Sequence, residues 1–317
     1  MRAVVYREGK AHLEDRPGPV PAAGQVLVRV HAAGLNRADL LQLKGGYPAP
    51  PGWPVDIPGL EYAGEVVSLG PDTTGRRVGD RVMGLVGGGA HAELVAVHAD
   101  ETLDIPPGLD WAAAAAIPEA FLTAFDALVE RARVRPGERV LIHAAASGVG
   151  TAAIQVARLL GAVPVGTSRS ADKLARLGPL GLTEGILAGE GGFRGALARP
   201  VDVILDVLGG PALADNLAVL APRGRLVLLG FLAGSRAEVD LGPVLRGRLE
   251  VIGSVMRTRG REERVALAER FRRELAPAFA AGTLHPVVGA TFSFNEPALA
   301  HEAMAANRTF GKVVLIW

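Results

Sequence analysis

Hydrophobic positions in the first hundred residues come in short runs that alternate with polar ones and are punctuated by Gly and Pro, a period of two that predicts strands. The runs are Ala3 to Tyr6, Gln25 to Ala32, Gly64 to Leu69, Arg81 to Leu85 and Ala92 to Val97. Their spacing predicts a small antiparallel barrel or sandwich. Between the second and third runs, Leu35 to Lys44 reads as a short helix, and the stretch Gly45-Gly-Tyr-Pro-Ala-Pro-Pro-Gly-Trp-Pro after it is too rich in Gly and Pro for regular structure. From about residue 112 the period lengthens. Helix is predicted over Trp111 to Arg133 in two pieces around Pro118, strand over Arg139 to Ala144, helix over Val149 to Gly161 and strand over Val163 to Thr167. Further strands fall at Val201 to Asp206, Arg225 to Gly230 and Glu250 to Ser254, with a helix over Ala212 to Leu220. This alternation predicts a doubly wound parallel sheet. A long helix from Arg261 through Ala281 is followed by strand, helix and strand over Thr291 to Phe294, Glu296 to Ala306 and Lys312 to Trp317, a tail expected to rejoin the N-terminal part.

Composition narrows the function. A chain of 317 residues exceeds the roughly 100 to 200 of one ordinary domain, so two domains are expected. With 49% apolar and 21% charged residues it should fold nearly throughout. A net charge of +1 supplies no basic stripe, so no nucleic-acid partner is expected. The absence of cysteine excludes disulfides, thiolate zinc sites and a thiol nucleophile, so redox chemistry has to come from a bound cofactor. The first residues lack the apolar core of a signal peptide, and nowhere do about 18 apolar residues run uninterrupted, so a cytoplasmic protein without a membrane partner is expected.

The segment Arg139-Val-Leu-Ile-His-Ala-Ala-Ala-Ser-Gly-Val-Gly-Thr-Ala-Ala joins a buried strand to a helix through small residues only. A pyrophosphate can approach backbone N–H groups at such a junction, where unpaired donors and the helix dipole favour negative charge. Gly148, Gly150 and Ala153 fit the dinucleotide fingerprint G-x-G-x-x-G/A, and Ala146, Ser147 and Val149 complete the loop. An NAD site usually closes its second strand with Asp or Glu, which binds the ribose 2'-hydroxyl. Here Ser168 stands in that place, with Arg169 and Lys173 beside it, a hydroxyl and two cations suited to a 2'-phosphate. The expected cofactor is NADPH. The other reading of Arg169 and Lys173 is a solvated helix face, with Asp172 between them able to pair with either.

Ordered matches along nearly the whole chain resemble the medium-chain dehydrogenase/reductase superfamily, and within it the zeta-crystallin-like NADPH:quinone oxidoreductases. They are Gly34-Leu-Asn-Arg-Ala-Asp-Leu-Leu-Gln-Leu-Lys-Gly-Gly-Tyr-Pro, Pro58-Gly-Leu-Glu-Tyr-Ala-Gly-Glu-Val, Gly79-Asp-Arg-Val-Met-Gly-Leu, Pro118-Glu-Ala-Phe-Leu-Thr-Ala-Phe, the Ala-Ala-Ser-Gly-Val-Gly loop, Asp206-Val-Leu-Gly-Gly and Asn307-Arg-Thr-Phe-Gly-Lys-Val-Val-Leu. The resemblance implies an α/β protein, with a GroES-like β-rich catalytic domain over 1–116 and 260–317 and a Rossmann dinucleotide-binding domain over 117–259. It also implies a homodimer, through an edge strand near Glu250 to Val255. One departure is that the first two glycines of the superfamily loop become Ala145 and Ser147, and only Gly150 keeps its place. The resemblance puts Asn36 at the first catalytic Cys of the zinc enzymes, Leu60-Glu61 at their His-Glu pair and Glu119 at a later Cys. The seven histidines are scattered without metal spacing, so no metal is expected.

Without a metal or thiol, the simplest chemistry is hydride transfer to a strongly electrophilic acceptor, which a quinone is. Asn36 and Tyr47 are the catalytic candidates: the Asn36 amide to donate to the acceptor oxygen or hold the nicotinamide ribose, and Tyr47 to hydrogen-bond or stack on a flat substrate. Asn36 also reads as a turn residue, and Tyr47 as loop packing. Arg37 and Asp39, two residues apart, are expected to pair locally and position Asn36. Thr123 resembles the family's residue near the nicotinamide. Leu208, Gly230, Phe231, Ser254 and Asn307, at the ends of predicted Rossmann strands or in the closing motif, complete the cofactor set. Two alternatives remain: an NADPH-dependent reductase of the activated C=C bond in an enone or enoyl thioester, and a non-catalytic protein that senses NADPH or binds RNA.

Overall fold

Both ends of the chain build the first unit, Met1–Leu122 together with Met256–Trp317, and the second unit is Thr123–Val255. The computed structural model describes residues 1–189 and 192–317. The family resemblance implies divisions at 117 and 260. In the structure the first turn of the helix over Pro118–Phe125 is held in the first unit, because the Glu119 N–H donates to Glu61.

The N-terminal segment opens with a hairpin of β1 (Arg2–Arg7) and β2 (Lys10–Asp15). Strands β3 (Gln25–Leu35), β4 (Glu61–Leu69), β5 (Arg81–Leu85), β6 (Leu94–His98) and β7 (Leu103–Asp104) follow. The spine is β3, antiparallel to β4 along most of its length and to β6 along its first half. Val26, Val28 and Val30 alternate inward on β3 and join Tyr62, Val66, Val82, Val95 and Val97 in one apolar core. Helix α1 (Arg37–Leu43) leaves the end of β3, and α2 (Trp111–Ala115) and α3 (Pro118–Phe125) come after β7.

The second unit contains β8 (Arg139–Ile142), β9 (Val163–Ser168), β10 (Glu184–Leu187), β11 (Val201–Asp206), β12 (Leu220–Leu228) and β13 (Glu250–Gly253). All pair in parallel, in the order β10-β9-β8-β11-β12-β13. Numbered by first appearance this is 3-2-1-4-5-6, whose direction reverses between β8 and β11, where open parallel sheets bind ligands. Helices α4 (Gly148–Leu159), α5 (Ala171–Ala175), α6 (Gly210–Val219) and α7 (Gly242–Gly247) lie in the crossovers. Leu141, Val165, Ile186, Ile204 and Leu226, each from a different strand, form the core. Because the strands are parallel, the segments following β8, β9, β11, β12 and β13 emerge at one edge of the sheet.

The single helix expected over 261–281 is instead α8 (Arg261–Arg270), a π-helical turn over Phe271–Leu275 and α9 (Ala276–Ala280). Pro277 is the reason: it has no N–H for the interior of a helix, and it sits in the first turn of α9, where none is needed. Leu267, Phe271, Leu275 and Phe279 still recur every four residues and are all buried, so the apolar face continues across the break. Strand β14 (Val288–Ser293), helix α10 (Pro297–Ala305) and strand β15 (Lys312–Ile316) end the chain. β15 pairs antiparallel with β3 and parallel with β14, giving a mixed sheet rather than a purely antiparallel one. Among the described residues no helix is long and apolar enough to cross a membrane.

Candidate active site

In the second unit the chain leaves β8 and turns at Ala144, a non-glycine residue at φ 49°, a left-handed conformation that costs roughly 1–2 kcal/mol. The turn is fixed by the Ala145 N–H donating to the Thr167 carbonyl at 2.9 Å and the Ser147 N–H to the Ala144 carbonyl at 2.8 Å. Ser147 caps α4, its Oγ accepting from the Gly150 N–H at 3.1 Å. Gly150 lies against the strand end: a Cβ there would stand 2.5 Å from the Ala145 oxygen and 2.6 Å from that of Ala144. Only glycine permits this approach, and it brings the first N–H groups of a 12-residue helix to the end of the sheet at the switch point. Ala146, Ser147, Gly148, Val149 and Gly150 thus form one corner, a cradle that fits a pyrophosphate.

Apart from Thr123, the other predicted cofactor residues of this unit lie at or after strand ends on the same side of the sheet. Ser168 ends β9 and its Oγ accepts from the Ser170 N–H at 3.2 Å; Arg169 is exposed and Lys173 half-buried in α5. Leu208 follows β11, its N–H donating to Asp206 Oδ1 at 2.6 Å. Gly230 and the exposed Phe231 follow β12. Ser254 follows β13 and donates to Asp126 Oδ2 at 2.6 Å. Thr123 is buried in α3. Beneath the corner lies a buried group that sequence reasoning missed. His143 donates from Nε2 to Asn216 Oδ1 at 2.8 Å and accepts at Nδ1 from the Thr167 hydroxyl at 3.0 Å. Burial pushes this imidazole down and pushes the neighbouring Asp206 carboxyl up.

In the first unit Asn36 is the N-cap of α1 and is buried. Its Oδ1 accepts from Lys312 Nζ at 2.6 Å, and its Nδ2 donates to Glu61 Oε1 at 3.0 Å and weakly to the Gly34 carbonyl at 3.4 Å. Lys312 Nζ also pairs with Glu61 Oε1 and donates to the Leu35 carbonyl at 3.2 Å, and Glu61 Oε2 accepts from the Glu119 N–H at 2.8 Å. Gly34 makes room for this network, since a Cβ there would stand 2.1 Å from Glu61 Oε1. Asp39 holds Asn36 through the backbone: its Oδ2 accepts from the Asn36 N–H at 2.7 Å and its Oδ1 from the Gly59 N–H at 3.2 Å. Burial pushes the Asp39 carboxyl up against the pull of both bonds. Arg37 donates to Asn307, an exposed residue at φ 56°.

Tyr47 is half-buried, and the Arg257 guanidinium lies over its ring, 4.6 Å from the centroid. Arg257 is buried and donates to the Tyr47 carbonyl at 2.7 Å, Gln42 Oε1 at 2.8 Å and the Gly87 carbonyl at 2.8 Å, tying α1 to the Gly/Pro-rich loop. Burial, reinforced by the Glu119 carboxylate, pushes the Tyr47 phenol up, so it stays protonated at neutral pH. Nothing in the local sequence marked Arg257. Lys312 does carry a sequence signal, a charge at the start of an otherwise apolar closing strand.

His91 is buried, its Nε2 donating to the Gly34 carbonyl at 3.2 Å. Burial pushes its imidazole from the ordinary 6.5 down to about 4. The unfolded chain therefore binds a proton that the folded chain refuses, and stability falls as pH drops from 6.5 towards 4. Across that window the His91 contribution amounts to about 3 kcal/mol. The raised carboxyls of Asp39 and Asp206 act in the opposite direction, so the check is the difference in unfolding free energy between wild type and His91→Gln, expected to narrow as pH falls; parallel curves would contradict it.

Zinc needs three or four N, S or O ligands converging on one point. The positions suggested for a metal do not fit one: Glu61 is paired with an ammonium, Asn36 Oδ1 accepts from the same ammonium, and among the described residues no three His, Asp or Glu side chains converge to hold an ion.

Family models match two stretches: one described as an alcohol dehydrogenase GroES-like domain over residues 22–107, the other as a zinc-binding dehydrogenase over 180–315. The chain is 32% identical to quinone oxidoreductase-like protein 2 of Rattus norvegicus, covering 99% of this chain and 91% of that one. It is 37% identical to a stretch of polyketide synthase GfsB of Streptomyces halstedii, covering 92% of this chain but only 5% of that protein's length. The quinone oxidoreductase of Thermus thermophilus, whose crystal structures include a complex with NADPH, superposes with a TM-score of 0.86 at 37% identity over 100% of both chains.

Proposed function

Because the chain belongs to the medium-chain dehydrogenase/reductase superfamily, among its quinone oxidoreductase-like members, we propose that it is an NADPH-dependent reductase that delivers hydride to a quinone without a metal ion. The observation that carries the proposal is the corner at Gly150, where backbone donors at a helix start are brought to the switch point by a residue with no room for a side chain. The N–H groups of Gly148 and Val149, at the start of α4, receive the pyrophosphate, and Ser168, Arg169 and Lys173 receive the 2'-phosphate. In the second unit Thr123, Leu208, Gly230, Phe231 and Ser254 complete the cofactor contacts. When bound, the nicotinamide supplies the hydride.

The chain's own residues bind the acceptor and manage protons. Tyr47, kept protonated and pinned under Arg257, stacks on or donates to a flat acceptor, and the proton that completes a hydroquinone comes from this phenol or from water. Asn36 already spends its amide hydrogens on Glu61 and Gly34, so its part is to hold α1 and the Glu61 network in place. A quinone needs little activation of its oxygen, which suits a site whose carboxylate and ammonium neutralise each other. A second reading, reduction of an activated C=C bond in an enone or enoyl thioester, draws support from the likeness to a stretch of a polyketide synthase and from Tyr47 as a donor to carbon.

Turnover of phenanthrenequinone and of an enone at matched NADPH separates the readings. The quinone reading expects kcat/KM at least about 10-fold higher for the quinone, a gap of about 1.4 kcal/mol in transition-state stabilisation. An enone preference transfers the assignment to the second reading, and binding without turnover on either points to a sensor. We further propose a homodimer through β13, an edge strand that exposes Val251, with Val255, Leu241 and Leu245 also exposed.

A further inference from the structure

Glu61 is a carboxylate with no access to water, and burying such a charge without a partner costs several kcal/mol. Its countercharge comes from the other end of the chain. The Lys312 ammonium, itself buried at the start of β15, has three N–H groups and three oxygen acceptors: Glu61 Oε1, Asn36 Oδ1 at 2.6 Å and the Leu35 carbonyl at 3.2 Å. A carboxylate, an amide oxygen and a backbone carbonyl converging on one positive charge form the donor set of a hard cation, with none of the nitrogen or sulfur donors that zinc favours. Two of these residues, Asn36 and Glu61, stand where the resemblance to zinc enzymes puts metal ligands. A metal entering here would have to displace a cation that is covalently tethered and already fully hydrogen-bonded.

We propose that the Lys312 ammonium is the resident cation of this pocket, filling with the chain's own charge the place a metal ion would take, and that removing it creates a site for a hard divalent cation. This does not depend on which acceptor the protein reduces. It also accounts for how the site keeps its shape without a metal: through Lys312, Glu61 stays in position to accept from the Glu119 N–H at the start of α3, and Asn36 stays in position at the start of α1.

The test uses the full chain and Mn2+, with uptake read from loss of the free-ion paramagnetic resonance signal and stability from thermal melts. Wild type is expected to take up no Mn2+ at this pocket and to show an unchanged Tm. Lys312→Ala is expected to bind about one Mn2+ per chain with a Tm raised by several degrees, and Lys312→Ala combined with Glu61→Gln to lose both effects. A folded Lys312→Ala protein that ignores Mn2+, or a wild type that binds one Mn2+ in a Glu61-dependent way, overturns the proposal. If Lys312→Ala does not fold with or without Mn2+, the neutral pair Glu61→Gln with Lys312→Met decides. A Tm well above that of Lys312→Met alone supports the ammonium as countercharge, and no recovery overturns it.

Discussion

Replacing Glu61 with alanine is expected to lower the unfolding free energy by about 3–5 kcal/mol, the range for removing one partner of a buried ion pair. Three groups lose their acceptor at once: the Lys312 ammonium, the Asn36 amide and the Glu119 N–H. Of these the ammonium dominates, because a buried charge left unpaired costs more than an orphaned neutral donor. The side chain cannot be replaced by a shift of its neighbour, since Gly34 next to it has no side chain to offer. Urea denaturation reads the effect as a lower midpoint at unchanged slope. A loss below about 1 kcal/mol would mean that water reaches the site and shields the pair, as it does for surface pairs.

Gly150→Ala is expected to weaken NADPH binding about 10- to 100-fold, because the new methyl group meets two backbone oxygens within 2.6 Å. Those oxygens belong to Ala144 and Ala145 in the turn after β8, which is held by the Ala145 N–H bond to Thr167, so the start of α4 has to move instead. That displacement takes the helix N–H groups away from the pyrophosphate. The same crowding should cost roughly 1–3 kcal/mol of stability, so the titration is paired with circular dichroism to show that the variant is folded. Unchanged affinity in a folded variant would place the pyrophosphate elsewhere.

Features that depend on near neighbours in the chain were legible, and features built from distant ones were not. The corner from β8 into α4 lies within a dozen residues, so strand, small-residue turn and helix could all be seen together. The same holds for Ser168, Arg169 and Lys173, whose grouping follows from one strand end. By contrast β2, with the sequence KAHLED, and β10, with EGIL, carry too little alternation to stand out, although each is a regular strand in the structure. The break at Phe271–Leu275 was hidden because the apolar repeat runs straight through it, and only Pro277 hinted at it. The network of Asn36, Glu61 and Lys312 unites residues brought together by β3 pairing with β4 and β15, and Arg257 binds groups 170 to 215 residues away, so no spacing in the sequence could reveal them. The sequence alone makes Asn36 a donor to the acceptor, whereas in the structure its amide donates to Glu61, 25 residues away, and weakly to Gly34.

The most direct measurement is a fluorescence titration of the wild-type protein with NADPH and with NADH, repeated on a variant in which Arg169 and Lys173 are both alanine. Each charge-assisted bond to a phosphate adds about 1.5–3 kcal/mol when well formed. Wild type should therefore bind NADPH at least about 10-fold more tightly than NADH, and the variant should lose most of that margin while keeping its NADH affinity. A protein that binds both nucleotides equally, or prefers NADH, would contradict the assignment of the corner and its cationic neighbour to NADPH.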